Sequence, residues 1–484
     1  MKKLIRLFLI FVVLQYVGAN ENGDQAAALE ILTEAPVSQT EAALTSPATP
    51  EPSALPVSAE RTQETQRLGI LRYGTETEIA TLIQTIKTEQ VTYLDNELIQ
   101  IAEKTRNRAI LAGVFSFFAE TEKKGLEERA IRTITERDQE ANESVLSAVD
   151  YLGRVRAGTA VECLEELINS GEARFLNNAV RALGRAASGE KADSGATFLL
   201  DYYNNRNPGE DNKREVVVAL GETGSKESIS FLSAMARNSS ERATLRMAAL
   251  EALSKIGADE GQEAVIDAVS SPDPNIRSTA VAALSPFSGE VAESAILEAF
   301  RDSYYRTRIG AAQAAGRRRL VSAIPYLRFR AENDEVPAVK DEAIKALGAI
   351  NNSETISILD TLFSERKNSD RIRILAADML LQNNADIYGR KVFIEMEEAK
   401  SKNQTPLYNG FVRIMGTAKS GSLENIARHF IGSGGVIERS LALDLIQINE
   451  FHSLANEVRS LLDEKTSGAS IARKARNTLE KLGL

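Results

Sequence analysis

The sequence predicts an all-α protein, an α-α superhelix built by stacking short helix pairs, and three observations carry that expectation. Leu, Ala, Ile and Glu dominate a chain of 484 residues that has no Trp and only 12 Pro, a composition that favours helices over strands. A leucine-centred segment returns at intervals of about 33 residues from residue 65 onward. No stretch of that region alternates apolar and polar residues over the length of a strand.

The chain opens with three parts of an export signal. Lys2 and Lys3 give a positive start, Leu7 to Leu14 an uncharged apolar run, and Val17-Gly18-Ala19 small or β-branched residues where a signal peptidase cuts. The run is shorter than the roughly 20 apolar residues of a membrane span. The expectation is therefore cleavage near Ala19 and a periplasmic or secreted body with no membrane span; retention as an uncleaved anchor is the alternative. No cysteine stands near the cut, so this is not a lipoprotein signal. Residues 20–64 are rich in Ala, Thr, Pro, Ser and Glu, as in Thr45-Ser46-Pro47-Ala48-Thr49-Pro50. With few large apolar side chains they cannot build a core, and they read as a disordered linker.

Residues 65–484 read as a solenoid of roughly 11 to 12 repeats. The clearest copy runs from Ser271-Pro272-Asp273-Pro274 through Arg277 to Ala283-Leu284. Its last residue aligns with Phe118, Leu152, Leu183, Leu220, Leu253, Ala315, Leu347, Leu380, Met415, Leu445 and Leu479. Alanine recurs four residues earlier, as at Ala179, Ala249, Ala280 and Ala343, and one residue earlier, as at Ala182, Ala219, Ala252 and Ala346. Positions four apart share a helix face, so small residues there let neighbouring second helices approach. Glycine follows the aligned position at Gly153, Gly184, Gly221, Gly316, Gly348 and Gly416, where a left-handed helix cap is expected. The first helix of each pair carries its own apolar stripe, as in Ile229 to Met235 and Ile356 to Phe363.

This pattern, a Pro-containing turn, an Arg opening the second helix and an Ala-Leu core, resembles the HEAT-repeat superfamily. It is most similar to the short-repeat class of the phycobilin lyases, and the N-terminal signal would make the chain an exported bacterial member. The resemblance implies a superhelical fold. It carries over no lyase residues, because only the structural core matches, and the fold serves scaffolds, adaptors and lyase subunits alike.

Catalytic signals are poor. His429 and His452 are isolated, and the single Cys163 can form neither an internal disulfide nor a cysteine-rich zinc site. Gly184 to Gly189 spaces two glycines as a phosphate loop does, but Glu190 replaces the required lysine. No cofactor or metal is expected, and no enzyme activity. The formal charge of −10, which becomes −13 once Lys2, Lys3 and Arg6 leave with the signal, disfavours nucleic acid.

Two patterns point to function. Seven residues before the aligned position stand Lys213, Arg246, Arg277, Arg308, Lys340 and Arg373, each opening a second helix. A cation there opposes the helix dipole, so another interaction must hold it. One reading is an inter-repeat ladder with Asp211, Asp273, Asp302, Asp334 and Asp370, as the HEAT resemblance implies; the other is a cationic stripe for an acidic partner. Tyr304, Tyr305, Arg306, Arg317, Arg318 and Arg319 form the densest basic and aromatic cluster, of the composition that dominates interface hot spots. The resulting expectation is a non-catalytic scaffold for a protein or peptide. An enzyme-associated, lyase-like subunit and a binder of acidic glycan or lipid headgroups are the alternatives.

Overall fold

Every aligned position from Phe118 to Leu445 is buried to 1% exposure or less, and Leu479 to 6%. Each Leu, Phe or Met among them contributes on the order of 2 kcal/mol of burial, and each aligned residue sits on the second helix of a pair or, for Leu284, at its C-terminal cap. The computed structural model describes residues 59–484 apart from Gln90, Thr92 and Asn207. The expected signal segment and most of the expected linker lie outside the described residues; the first helix, Ala59–Tyr73, begins at the end of that linker.

Among the described residues there are helices, turns and short 3-10 segments, with no strand. They form thirteen helix pairs, from Ala59–Tyr73 with Glu76–Glu89 to Ala455–Ser460 with Ala469–Lys481. The 32-residue helix Asp370–Ser401 counts twice, because Asn384 leaves helical geometry (φ −140°, ψ 42°) and divides it. A short 3-10 turn leads into many of the first helices, as at Lys226–Ser228 and Val321–Ala323. Second helices pack directly on second helices, whereas first helices touch one another much less. Unequal spacing of the two layers bends the stack toward its second-helix side, which gives the expected superhelix.

The alanines explain the close layer. Ala179, Ala249, Ala280, Ala311 and Ala343 are fully buried, and Ala182, Ala219 and Ala252 nearly so. The glycines explain it further, and here the structure corrects the sequence. None of the six glycines is a left-handed cap, since all lie outside the positive-φ set. Instead, a Cβ on Gly184 would stand 2.7 Å from the Cα of Ala219 and 2.6 Å from its carbonyl oxygen. On Gly221 it would meet the Cα of Ala252 at 2.7 Å, and Gly153 and Gly316 stand likewise against Ala182 and Ala346. Glycine after the aligned residue thus interlocks with alanine before the next one. Left-handed caps do occur, about one turn later, at Glu122, Gly224, Gly257, Arg319 and Asn351.

Candidate partner-binding cleft

The interlock lapses in the middle of the stack. After Leu253 and Leu284 the residues are Ser254 and Ser285, not glycine. The second helix between them, Pro274–Ala283, has 10 residues, while its neighbours Ala243–Ile256 and Tyr305–Arg318 have 14 each. Asp273 starts it, its carboxylate accepting the Asn275 N–H at 2.8 Å with Pro274 in the first turn. Pro286 ends it early, because proline disfavours helical geometry in the residue before it and offers no N–H.

One missing turn, the small side chains Ser278 and Ala282, and Gly310 leave a shallow cleft of about 420 Å³ across these three helices. Arg306, Gly310, Gln313 and Arg317 line one wall, spaced as one face of a helix. Glu251 and Ser254 line the opposite wall. Gly310 is required at the floor, since a Cβ there would come within 3.0 Å of the Ser278 carbonyl oxygen.

The predicted Tyr/Arg cluster is divided by this geometry. Arg306 and Arg317 are exposed and border the cleft. The Arg306 Nε donates to the Tyr305 hydroxyl at 3.2 Å, and one Arg317 nitrogen to Ser285 Oγ at 3.2 Å. Tyr304 turns toward the preceding repeat, its hydroxyl donating to Asn275 Oδ1 at 3.1 Å, with its ring edge-on to Tyr305. Arg318 points inward, with one terminal nitrogen buried and unpartnered. Arg319 is the left-handed cap (φ 51°). Among the described residues no carboxylate comes within ion-pairing distance of Arg306, Arg317, Arg318 or Arg319, although the preceding and following cations are paired.

Of the six cations that open second helices, Arg277, Arg308 and Arg373 tie one helix pair to the next. Arg308 makes two 2.8 Å bonds to Asp334 of the next pair and donates to the Asp302 and Ser303 carbonyls. Arg277 repeats this with Asp302 at 2.8 and 3.1 Å and with the Ser271 and Pro272 carbonyls. These carbonyls and the next pair's carboxylate outweigh the unfavourable dipole. Burial pushes the Asp302 and Asp334 carboxyls up, but the guanidiniums and the N–H groups of Tyr304 and Val336 prevail and hold both below the usual range. Arg373 uses Glu395 at 2.6 Å in place of an aspartate. Arg246 and Lys340 reach only carbonyls, of Ala236 and Glu332, and Lys213 pairs with Glu210 of its own helix. Asp273 caps its own helix instead of bridging repeats, and Asp211 and Asp370 stand in the first turns of theirs.

Cys163 is half-buried against Thr135 and Ile131, and burial pushes its thiol up. His429 is exposed and edge-on to Phe393, and His452 Nδ1 lies 2.8 Å from the Glu450 carbonyl. Among the described residues no cluster of His, Cys, Asp or Glu could hold a metal, and no helix is long and apolar enough to cross a membrane.

The model of the spirochaete HEAT repeat proteins matches residues 71–478. The chain belongs to that family. Solved structures similar to this HEAT repeat protein include the complex of CpcE and CpcF of phycocyanin lyase from Nostoc sp. PCC7120, at 15% identity over 59% of this chain and 94% of that one, with a TM-score of 0.32. Kap121p is similar at 11% identity over 88% of this chain, with a TM-score of 0.40, and this chain spans 54% of its length. Kap121p bound to the extreme C-terminus of the protein phosphatase Cdc14p is similar at 12% identity, covering 86% of this chain and 53% of that one, with a TM-score of 0.39. No curated protein matches.

Sequence reasoning found Arg306 and Arg317 but missed Glu251, Ser254, Ser278 and Gln313. A signal for them was present in the combination of two successive skips in the glycine series, at Ser254 and Ser285, with Pro286 after the second; Ala119, Leu381 and Ile446 also replace the glycine, but none is followed by proline.

Proposed function

We propose that this HEAT repeat protein is a non-catalytic scaffold that holds a protein or peptide partner on its second-helix surface, centred on the cleft between Ala243–Ile256 and Tyr305–Arg318. One observation carries this reading: Arg306 and Arg317 border an open cleft of mixed polar and apolar lining and have no carboxylate partner among the described residues. Long flexible cations left unpaired at a concave surface are available to a partner. The tripartite N-terminus supports export, with removal near Ala19 and a periplasmic or secreted body.

Affinity capture from the exported fraction, read by mass spectrometry, tests the reading. The intact chain should retain a partner that Gln313→Trp, which fills the cleft, loses. Phe329→Ala, on a first helix and 55% exposed, should retain it. Equal capture by the intact chain and Gln313→Trp would show that the cleft is not the site.

A further inference from the structure

The two unpaired arginines have a fixed separation. Arg306 and Arg317 lie on one helix face, and 11 residues at 1.5 Å each place their Cα atoms about 16 Å apart along the axis. An extended peptide rises about 3.3 Å per residue and puts side chains on one face only at even offsets, so side chains at i and i+4, about 13 Å apart, can face both arginines when these lean slightly inward.

Between the arginines the lining changes character. Gln313 offers an amide that both donates and accepts, suited to an extended peptide backbone. Across from it stands Glu251, which holds the same place in its repeat, two residues before the aligned position. A carboxylate on the ligand between the arginines would meet Glu251, and the whole chain, at −10, repels a densely acidic ligand. Gly310 and Ala282 carry little side-chain bulk there, so a peptide backbone can come close.

Building on the scaffold reading, we infer that the cleft recognises an extended peptide segment with two carboxylates on one face, four residues apart, and a neutral centre. One carboxylate sits on Arg306, the other on Arg317, and the intervening backbone lies along Gln313. The arginines select by spacing as well as by sign: a flexible contiguous acidic run places charge against Glu251 and gains nothing for it.

The test is fluorescence anisotropy at low salt with the intact chain and labelled ten-residue Gly/Ser peptides. The peptides carry two aspartates at i and i+4, two adjacent aspartates, two asparagines at i and i+4, or six consecutive aspartates. The i, i+4 peptide should bind about fivefold more tightly than the adjacent pair, and Arg306→Gln and Arg317→Gln should each cost it about fivefold, the scale of one exposed charge pair. Indifference to spacing, or tightest binding of the six-aspartate peptide, overturns the inference and describes a plain polyanion surface. Gln313→Trp separates the two readings. If spacing is irrelevant but this variant abolishes binding, the cleft remains the binding site and only the spacing rule fails. If the variant leaves all peptide binding intact, the cleft itself is wrong and both readings fall. Failure of every peptide to bind, beside a captured protein that Gln313→Trp loses, overturns the acidic-peptide inference alone.

Discussion

Two stretches of the second-helix layer solve the same packing problem differently. From Gly153 to Ala252, each junction closes by glycine against alanine, with backbone atoms where a Cβ would be 2.7 or 2.8 Å from the next Cα. From Ser254 to Ala314 the glycine is absent, one helix is a turn short, and a cleft opens. The open stretch is braced at its far side by Arg277 to Asp302 and then Arg308 to Asp334. The junction across Ser254 has neither device, since Arg246 reaches only the Ala236 carbonyl of its own pair. A repeat protein is held by nearest-neighbour interfaces, so local binding surface can be gained by relaxing one interface while its neighbours remain tight.

The largest expected effect comes from removing the brace. Asp334→Ala leaves Arg308, whose side chain is 6% exposed, buried without its carboxylate, and should cost about 3–5 kcal/mol. Hydrogen exchange should show that loss confined to the pairs around Tyr305–Arg318 and Pro337–Ile350. A loss spread evenly over the chain would deny that the ladder is a local device.

Next comes the interlock. Gly184→Ala drives a Cβ into the backbone of Ala219 and should destabilise by about 1–3 kcal/mol. Gly416→Ala, where the nearest atom is Leu441 Cδ1 at 3.4 Å and the backbone is helical, should be neutral or stabilise by up to about 1 kcal/mol. Equal urea midpoints for the two variants would break the comparison.

A third effect lies near the C-terminal end and depends on pH. Glu438 is 4% exposed; burial pushes its carboxyl up, but the Lys400 ammonium and the Tyr408 hydroxyl outweigh that and bring it to about 2. A depressed folded-state value means stabilisation that is full above the ordinary carboxylate range and lost as pH falls from about 4.5 toward 2. Lys400 is half exposed, so we expect a contribution of about 1–2 kcal/mol after screening. Glu438→Gln should flatten the acid limb of stability for Val436–Asn449 by hydrogen exchange, leaving the middle repeats unaffected.

The smallest effect is the most diagnostic for function. Arg306→Gln together with Arg317→Gln removes exposed, unpaired cations and should shift the urea midpoint by the equivalent of less than about 0.5 kcal/mol, while partner capture falls. A large stability loss would make these arginines structural.

The repeat period, the buried alanines and aligned leucines, and the cations opening second helices were all legible in the sequence, because each obeys a local rule of helix periodicity. The sequence also placed Asp302 and Asp334 among the ladder's acids. It misread the glycines, since a glycine near a helix end has the same local signature whether it caps the helix or admits a neighbour. It also grouped Arg306 with Arg317 to Arg319 by proximity along the chain, whereas helix geometry keeps Arg306 and Arg317 on one face and removes Arg318 and Arg319 from it. What the sequence by itself determined was the set of stacking units, because a helix pair's apolar faces are fixed by spacing of three and four. What only the tertiary structure decided was which junctions close and which open, because that depends on atoms brought together from positions about 30 residues apart.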